Sequence, residues 1–315
     1  MERKLSIVTT VYNEEESISE LYDRVIENVE ICLNENLITD FEMIFVDDGS
    51  TDSSLKEINK LIDKDSRMHL ISLRKNYGKA TGLQAAFRNV TGDIIITMDA
   101  DLQDDPIEFK NFINKIDEGY DLVSGWKIKR LDPLEKRLPS KLFNKVTSKM
   151  SGVELHDFNC GFKAYRREVV DAIDIYGEFH RYIPVLAHRK GFKIAEMPVH
   201  HNKRKFGKSK YGIERYMRGF FDSVSVSFIL KYYDRPMYFF GRLGLASGII
   251  GFILCLVAAI KGIVGAVSGV GILLILGVLL LLAGFGFFAL GMLGDMIVDA
   301  TYRQRYNESH IREIK

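Results

Sequence analysis

Between Leu243 and Gly294 the chain carries one charged residue, Lys261, and this run limits the architecture more than any other feature. Leu243 to Ile260 is free of charge, and Val270 to Gly294 forms a second, stronger apolar run. About twenty apolar residues span a bilayer core. Nothing in the remaining chain could cover two such helices as a soluble core, so lipid is the expected solvent. The glycine-rich segment Lys261–Gly269 suits the turn of a hairpin. Two passes return the chain to its starting side. Lys231, Arg235 and Arg242 before the first pass, with Arg303, Arg305, Arg312 and Lys315 after the second, outnumber Lys261 in the turn. By the positive-inside bias both termini are expected in the cytoplasm. Gly244-x-x-x-Gly248 and Gly265-x-x-x-Gly269 offer helix-contact faces, through which a homo-oligomer could form.

The 315 residues leave room for one sizeable α/β domain before this hairpin. A formal net charge of +1 gives no bulk reason to expect nucleic acid. Cys32, Cys160 and Cys255 match no zinc spacing or disulfide framework, as expected of a reducing compartment. The first residues lack an apolar h-region, so no cleaved secretory signal is expected there.

Before the hairpin, short β-rich runs alternate with helical patterns. Strands are predicted at Leu5–Tyr12, Phe41–Val46, Met68–Leu73 and Asp93–Met98, with helices at Glu15–Leu33, after Asp52 or Ser53, and at Gly78–Asn89. The run Ile94-Ile95-Ile96 suits a central strand covered on both faces. This order predicts a doubly wound, mostly parallel sheet, whose ligands bind outside the carboxyl ends of the strands. The polar clusters fall at those ends: Thr10 to Glu14, Asp47-Asp48, Arg74 and Asp99-Ala100-Asp101. Further on, His200 to Gly212 is a basic, glycine-containing loop. Ile213 to Tyr233 mixes aromatic and charged residues as an interfacial amphipathic helix does. The expected divisions are a catalytic domain over 1–212, a juxtamembrane region over 213–236, spans at about 240–261 and 270–294 within 237–294, and a tail over 295–315.

Asp99 and Asp101 are hard oxygen ligands two residues apart, suited to Mg²⁺ or Mn²⁺ with a diphosphate completing the shell. Asp47 and Asp48 serve equally as turn and cap residues or as acceptors for a base or ribose. Arg74 and Lys79 could contact phosphate or cap a helix. His156, His200 and His201 are assigned to no metal.

Thr10-x-Tyr12-Asn13-Glu14, Val46 to Asp52, Arg74 to Lys79 and Asp99 to Pro106 together resemble the family 2 glycosyltransferases of GT-A fold. Asp157 to Lys163 and Arg204 to Gly212 are similar to the branch that includes dolichol-phosphate mannose synthase and the bacterial polyprenyl-phosphate glycosyltransferases. The resemblance implies a Rossmann-like α/β catalytic domain and inverting transfer of a hexose from a nucleotide-sugar to polyisoprenyl phosphate at the cell membrane, or the ER membrane in a eukaryote. UDP-glucose is the first donor to test, then UDP-N-acetylglucosamine and GDP-mannose. It also implies that Thr10, Tyr12, Asn13, Glu14, Asp47, Asp48, Asp99, Ala100 and Gln103 line the nucleotide-sugar site. Asp99 and Asp101 would hold the metal, and Arg204, Ser209 and Lys210 the acceptor phosphate. Thr10 departs from the proline that many members carry, and the Gln-x-x-Arg-Trp motif of processive synthases is absent.

Asp157, Asp101 and Arg204 are the candidate catalytic residues. Hydroxyl acceptors need deprotonation at attack, whereas a phosphomonoester is largely ionised at neutral pH. With a phosphate acceptor, then, Asp157 is expected to orient rather than to act as base, and the cations carry the larger burden. A membrane-anchored transferase using a hydroxyl acceptor, with Asp157 as base, is one competing reading. A non-catalytic membrane scaffold is the other.

Overall fold

The computed structural model describes residues 3–128, 144, 147–149, 151–202, 205, 228, 231–232, 235–265 and 268–305, the last five by backbone alone. They belong to two compact units, an α/β body and an apolar helix pair.

In the body, seven strands form one sheet in the order β3-β2-β1-β4-β6-β5-β7. They are β1 Lys4–Val11, β2 Asp40–Asp47, β3 Met68–Ser72, β4 Ile94–Asp99, β5 Leu122–Trp126, β6 Lys163–Arg166 and β7 Ile194–Pro198. β1 pairs in parallel with β2 and β4, so Leu5 meets Phe41 and Ile94, and Ile7 meets Met43 and Ile96. All these side chains are buried, the continuous apolar pattern of strands covered on both faces. Only β6 runs antiparallel to its neighbours β4 and β5. That reversal carries the loop before β6 to the carboxyl edge of the parallel strands.

The helices follow the predicted alternation. α1 (Ile18–Asn34) buries Ile18, Leu21, Val25, Val29 and Cys32 at helical spacing. α2 is Ser54–Lys64, and α3, Lys79–Phe87, starts after Gly78 (φ +90°). A 3₁₀ turn at Pro106–Glu108 leads into α4 (Phe109–Asp117), whose Phe112 meets Phe162 edge to face at 4.7 Å. α5 (Arg167–Ala172) and α6 (Ile183–Arg189) complete the body.

The second unit pairs α7 (Met237–Ile263) with α8 (Val270–Arg305), both long and apolar enough to cross a membrane. Glycines bring the two helices of this pair together. A methyl group at Gly244 would lie 2.8 Å from Gly284 O, and one at Gly251 2.7 Å from Gly277 O, so the backbones touch. Gly265 and Gly269 have φ of +75° and +78°, left-handed turn geometry that ends one helix and begins the next. α8 also continues past Gly294, where a tail was expected: Asp295 Oδ1 accepts the Met237 N–H at 3.1 Å, capping α7 from inside the longer helix. The juxtamembrane helix expected over 213–236 falls almost wholly outside the described residues.

Candidate active site

The carboxyl edge gathers the predicted clusters by local backbone chemistry. After β1, Asn13 adopts φ +54°. Its N–H donates to Ser50 Oγ at 3.0 Å, and its Oδ1 accepts the Thr51 N–H at 2.7 Å. The Glu14 N–H donates to Ser54 Oγ. The Tyr12–Glu14 and Ser50–Ser54 loops are thereby laced together, and Thr10 lies half-buried at the end of β1.

Asp47 and Asp48 are both buried. Asp47 Oδ1 accepts the Ser50 N–H at 3.1 Å, the turn use anticipated for it. Asp48 takes the N–H groups of Tyr77 and Gly78 at 2.7 and 2.9 Å, which fixes the start of α3. Burial pushes the Asp48 carboxyl up, against the pull of those two donors. At Gly49 a methyl group would sit 2.4 Å from the Lys75 carbonyl carbon, so only glycine admits this approach.

Asp99 ends β4, and its carboxylate pairs with the Lys79 ammonium at the start of α3. Lys79, expected either to contact phosphate or to cap, is seen here paired with Asp99. Burial pushes the Asp99 carboxyl up, but Lys79 and then Lys127 outweigh it and hold it down at about 2. Leu102, at φ +61°, turns the chain behind Ala100 and Asp101. Asp101 Oδ1 accepts the Gln103 N–H at 3.2 Å. Beneath, fully buried Asp104 accepts the Asp99 N–H at 3.2 Å and pairs with Lys127 Nζ at 2.8 Å. On the far side, Thr97 Oγ1 donates to Gly161 O at 2.8 Å. A Cβ at Gly161 would crowd the Asp99 oxygens at 3.0 and 3.1 Å. The same Cβ would lie 2.6 Å from Lys79 Nζ, so glycine here leaves room for the Lys79–Asp99 pair.

Asp157, in the loop before β6, is 1% exposed. Its Oδ1 accepts the Asn159 N–H at 3.0 Å, and its own N–H donates to Glu196 at 2.9 Å. That burial fits a residue that orients better than a base in free exchange with water. Lys163 is buried as well; its ammonium donates to the carbonyls of Phe158 and Cys160, and burial pushes its pKa down. His180 is held neutral by burial and by the neighbouring Lys79, Arg181 and Lys163.

Lys79 as partner of Asp99, Asp104, Lys127, Lys163, His180 and Glu196 were not assigned by the sequence reading. The signal present was a lysine one or two residues after a glycine, at Gly78-Lys79, Gly125-Trp126-Lys127 and Gly161-Phe162-Lys163. Arg204, Ser209 and Lys210 lie outside the described residues, as does most of the basic loop; within it, Lys205 pairs with Glu20 of α1 at 2.7 Å. Arg74 is exposed. Among the described residues no three His, Cys, Asp or Glu groups form a closed metal site.

Residues 6–174 match the model of glycosyl transferase family 2. The chain belongs to that family.

Two curated relatives extend the likeness to the full chain. Dodecaprenyl-phosphate galacturonate synthase of Rhizobium johnstonii is 34% identical, over 98% of this chain and 91% of its own. Undecaprenyl-phosphate 4-deoxy-4-formamido-L-arabinose transferase of Enterobacter sp. strain 638 is also 34% identical, over 96% of this chain and 92% of its own. Among solved structures, glucosyl-3-phosphoglycerate synthase from Mycobacterium tuberculosis, in complex with Mn²⁺ and UDP-glucose, superposes with a TM-score of 0.54. That match has 18% identity and covers 72% of this chain and 79% of that one. At that identity it speaks to the fold. The glycosyltransferase thus carries a GT-A-like mixed sheet, followed by two apolar helices of membrane-spanning length.

Proposed function

We propose that this family 2 glycosyltransferase moves a sugar from a nucleotide-sugar to polyisoprenyl phosphate at a membrane, with both termini and the α/β body in the cytoplasm. The observation that carries this reading is the length of the likeness. It spans the α/β body and both apolar helices, and both relatives are named for a polyprenyl phosphate. A soluble transferase would need no such hairpin.

Tyr12, Asn13 and Glu14 are assigned to the nucleotide, beside Thr10, Asp47 and Asp48. Asp99 and Asp101 are assigned to a divalent metal, with Ala100 and Gln103 beside the donor diphosphate. The hard oxygen donors of Asp99 and Asp101 fit Mg²⁺ or Mn²⁺, which would share the Asp99 carboxylate with Lys79 or displace it, and the solved neighbour is described with Mn²⁺. When bound, the metal would neutralise the negative charge of the departing nucleoside diphosphate. An acceptor phosphate oxygen bonds to the anomeric carbon as the bond from that carbon to the diphosphate breaks, with inversion. Arg204, Ser209 and Lys210 are assigned to the acceptor phosphate and Asp157 to its orientation. The two relatives are named for a uronate and a formamido-pentose, so the donor panel should extend beyond hexoses.

Purified protein would be mixed with undecaprenyl phosphate and each labelled nucleotide-sugar, with and without EDTA. Label moving into organic solvent, and stopped by EDTA, is the expected result. Label that stays aqueous with every donor sinks the proposal.

A further inference from the structure

Glu196, on β7 opposite Ser124 of β5, is 10% exposed in its side chain and collects donors from a single loop. Its Oε1 accepts the N–H groups of His156 and Asp157, both at 2.9 Å. Its Oε2 lies 3.0 Å from the His156 N–H and 2.7 Å from His156 Nδ1. A carboxylate can only accept, so Nδ1 carries a proton and Nε2 is the ring nitrogen left for other partners. That ring is 67% exposed and lies flat on Trp126, with centroids 4.1 Å apart and planes at 15°. Trp126 ends β5, at the same edge as Asp99.

From these contacts we infer that Glu196 is a positioning residue for sugar transfer. Through two backbone N–H groups and one imidazole N–H it fixes the loop that presents the Asp157 carboxylate, and it sets the tautomer of His156 beside it. The inference rests on the reading of Asp157 as the group that orients the acceptor. Two neighbouring backbone donors converging on one oxygen hold Asp157 more firmly than a single bond to a flexible side chain would. Among the described residues the remaining oxygen bonds His156 alone, so the imidazole orientation and the backbone position come from the same carboxylate. Misplacing a reacting group by about an ångström can cost roughly a hundredfold in rate, which sets the scale of the expected effect.

The test uses the full-length protein in detergent, undecaprenyl phosphate, and the labelled nucleotide-sugar that it turns over fastest. Wild type, Asp157→Asn, Glu196→Ala and Glu196→Gln are compared. Glu196→Ala should lower kcat by about ten- to a hundredfold with both KM values held within about threefold. Glu196→Gln should recover at least about a third of the wild-type kcat, because the amide oxygen still accepts both backbone N–H groups. Its NH₂ group then faces Nδ1, so nitrogen NMR of ¹⁵N-histidine protein should show the His156 proton moved from Nδ1 to Nε2. The tautomer reports the contact itself, while loss of kcat at unchanged KM, recovered in Glu196→Gln, is what a purely structural role would not produce. Should Glu196→Ala fail to fold, Glu196→Asp takes its place, with the same expected loss of kcat.

Wild-type kcat in the Glu196 variants, with Asp157→Asn impaired, overturns the inference and leaves the reading of Asp157 standing. Full activity in Asp157→Asn overturns that reading instead. A wild-type His156 with Nδ1 unprotonated removes the hydrogen bond on which the inference stands.

Discussion

The Lys79 ammonium and the Asp99 carboxylate form a pair that joins the first turn of α3 to the end of β4. Burial ordinarily raises a carboxyl; Asp99, half-buried, is held at about 2 because two lysines, 79 and 127, outweigh that effect. A depressed folded-state value contributes stability that is fully present above the ordinary carboxylate range, and lost as pH falls through about 2. Lys79→Met should therefore raise the Asp99 carboxyl and move the acid unfolding midpoint upward. A carbon NMR titration of the labelled aspartates reads the first effect directly, and an unshifted Asp99 resonance would contradict the electrostatic account.

The metal assignment makes a prediction that does not depend on turnover. Asp101→Asn and Asp99→Asn should each weaken Mn²⁺ binding, as followed by paramagnetic resonance of the free ion. Sugar transfer should fall roughly a hundredfold or more, since the metal supplies several kcal/mol of charge stabilisation. Asp47→Asn, at a turn carboxylate, should leave Mn²⁺ affinity unchanged.

Asp104 and Lys127 form a pair with side chains 0% and 13% exposed. Removing one partner strands the other charge in the interior. Lys127→Met should cost about 3–5 kcal/mol of stability, because an uncompensated buried charge remains. Thermal unfolding in detergent would register it, and a melting point equal to wild type would show that the site is wetter than the geometry indicates.

The helix pair offers a comparison with its own control. Gly251→Val places a side chain against Gly277 O, where even a Cβ would be 2.7 Å away, and should destabilise the pair by about 1–3 kcal/mol. Gly248→Ala meets nothing within 4 Å and should be close to neutral. Equal melting behaviour for the two variants would argue against close backbone packing.

Asp295→Ala should cost about 0.5–2 kcal/mol, the usual loss when a helix start gives up its capping acceptor. Fraying of residues 237–240, seen as faster amide exchange, is the specific sign.

What could be read from sequence alone was what neighbours in the chain decide. The β-α order follows from apolar spacing over short windows, and the placing of Asp47, Asp99 and Asp101 follows from strands that stop at turn residues. Contacts across long loops were not readable. Lys79 and Asp99 are separated by twenty positions, and Glu196 stands thirty-nine from Asp157. The reversal of β6 depends on which edge of β4 remains free, a fact of the assembled sheet. In the hairpin, glycine spacing announced close contact but not the partner. The charge at Asp295 ends the apolar run without ending the helix, and its carboxylate accepts a backbone N–H of α7.

The strand of chain after Asp101 does not run alone. Gln103 O accepts the Asn202 N–H at 2.9 Å, Asp104 and His201 make an isolated β-bridge, and Asn202 Nδ2 reaches Asp105 at 3.1 Å. Asn202 stands two positions before Arg204 in the sequence. The segment assigned to the donor diphosphate and the approach to the segment assigned to the acceptor phosphate thus share one short two-rail ladder. A shift in either rail drags the other, so a displacement at Gln103–Asp105 is passed by backbone to His201–Asn202 and the reverse.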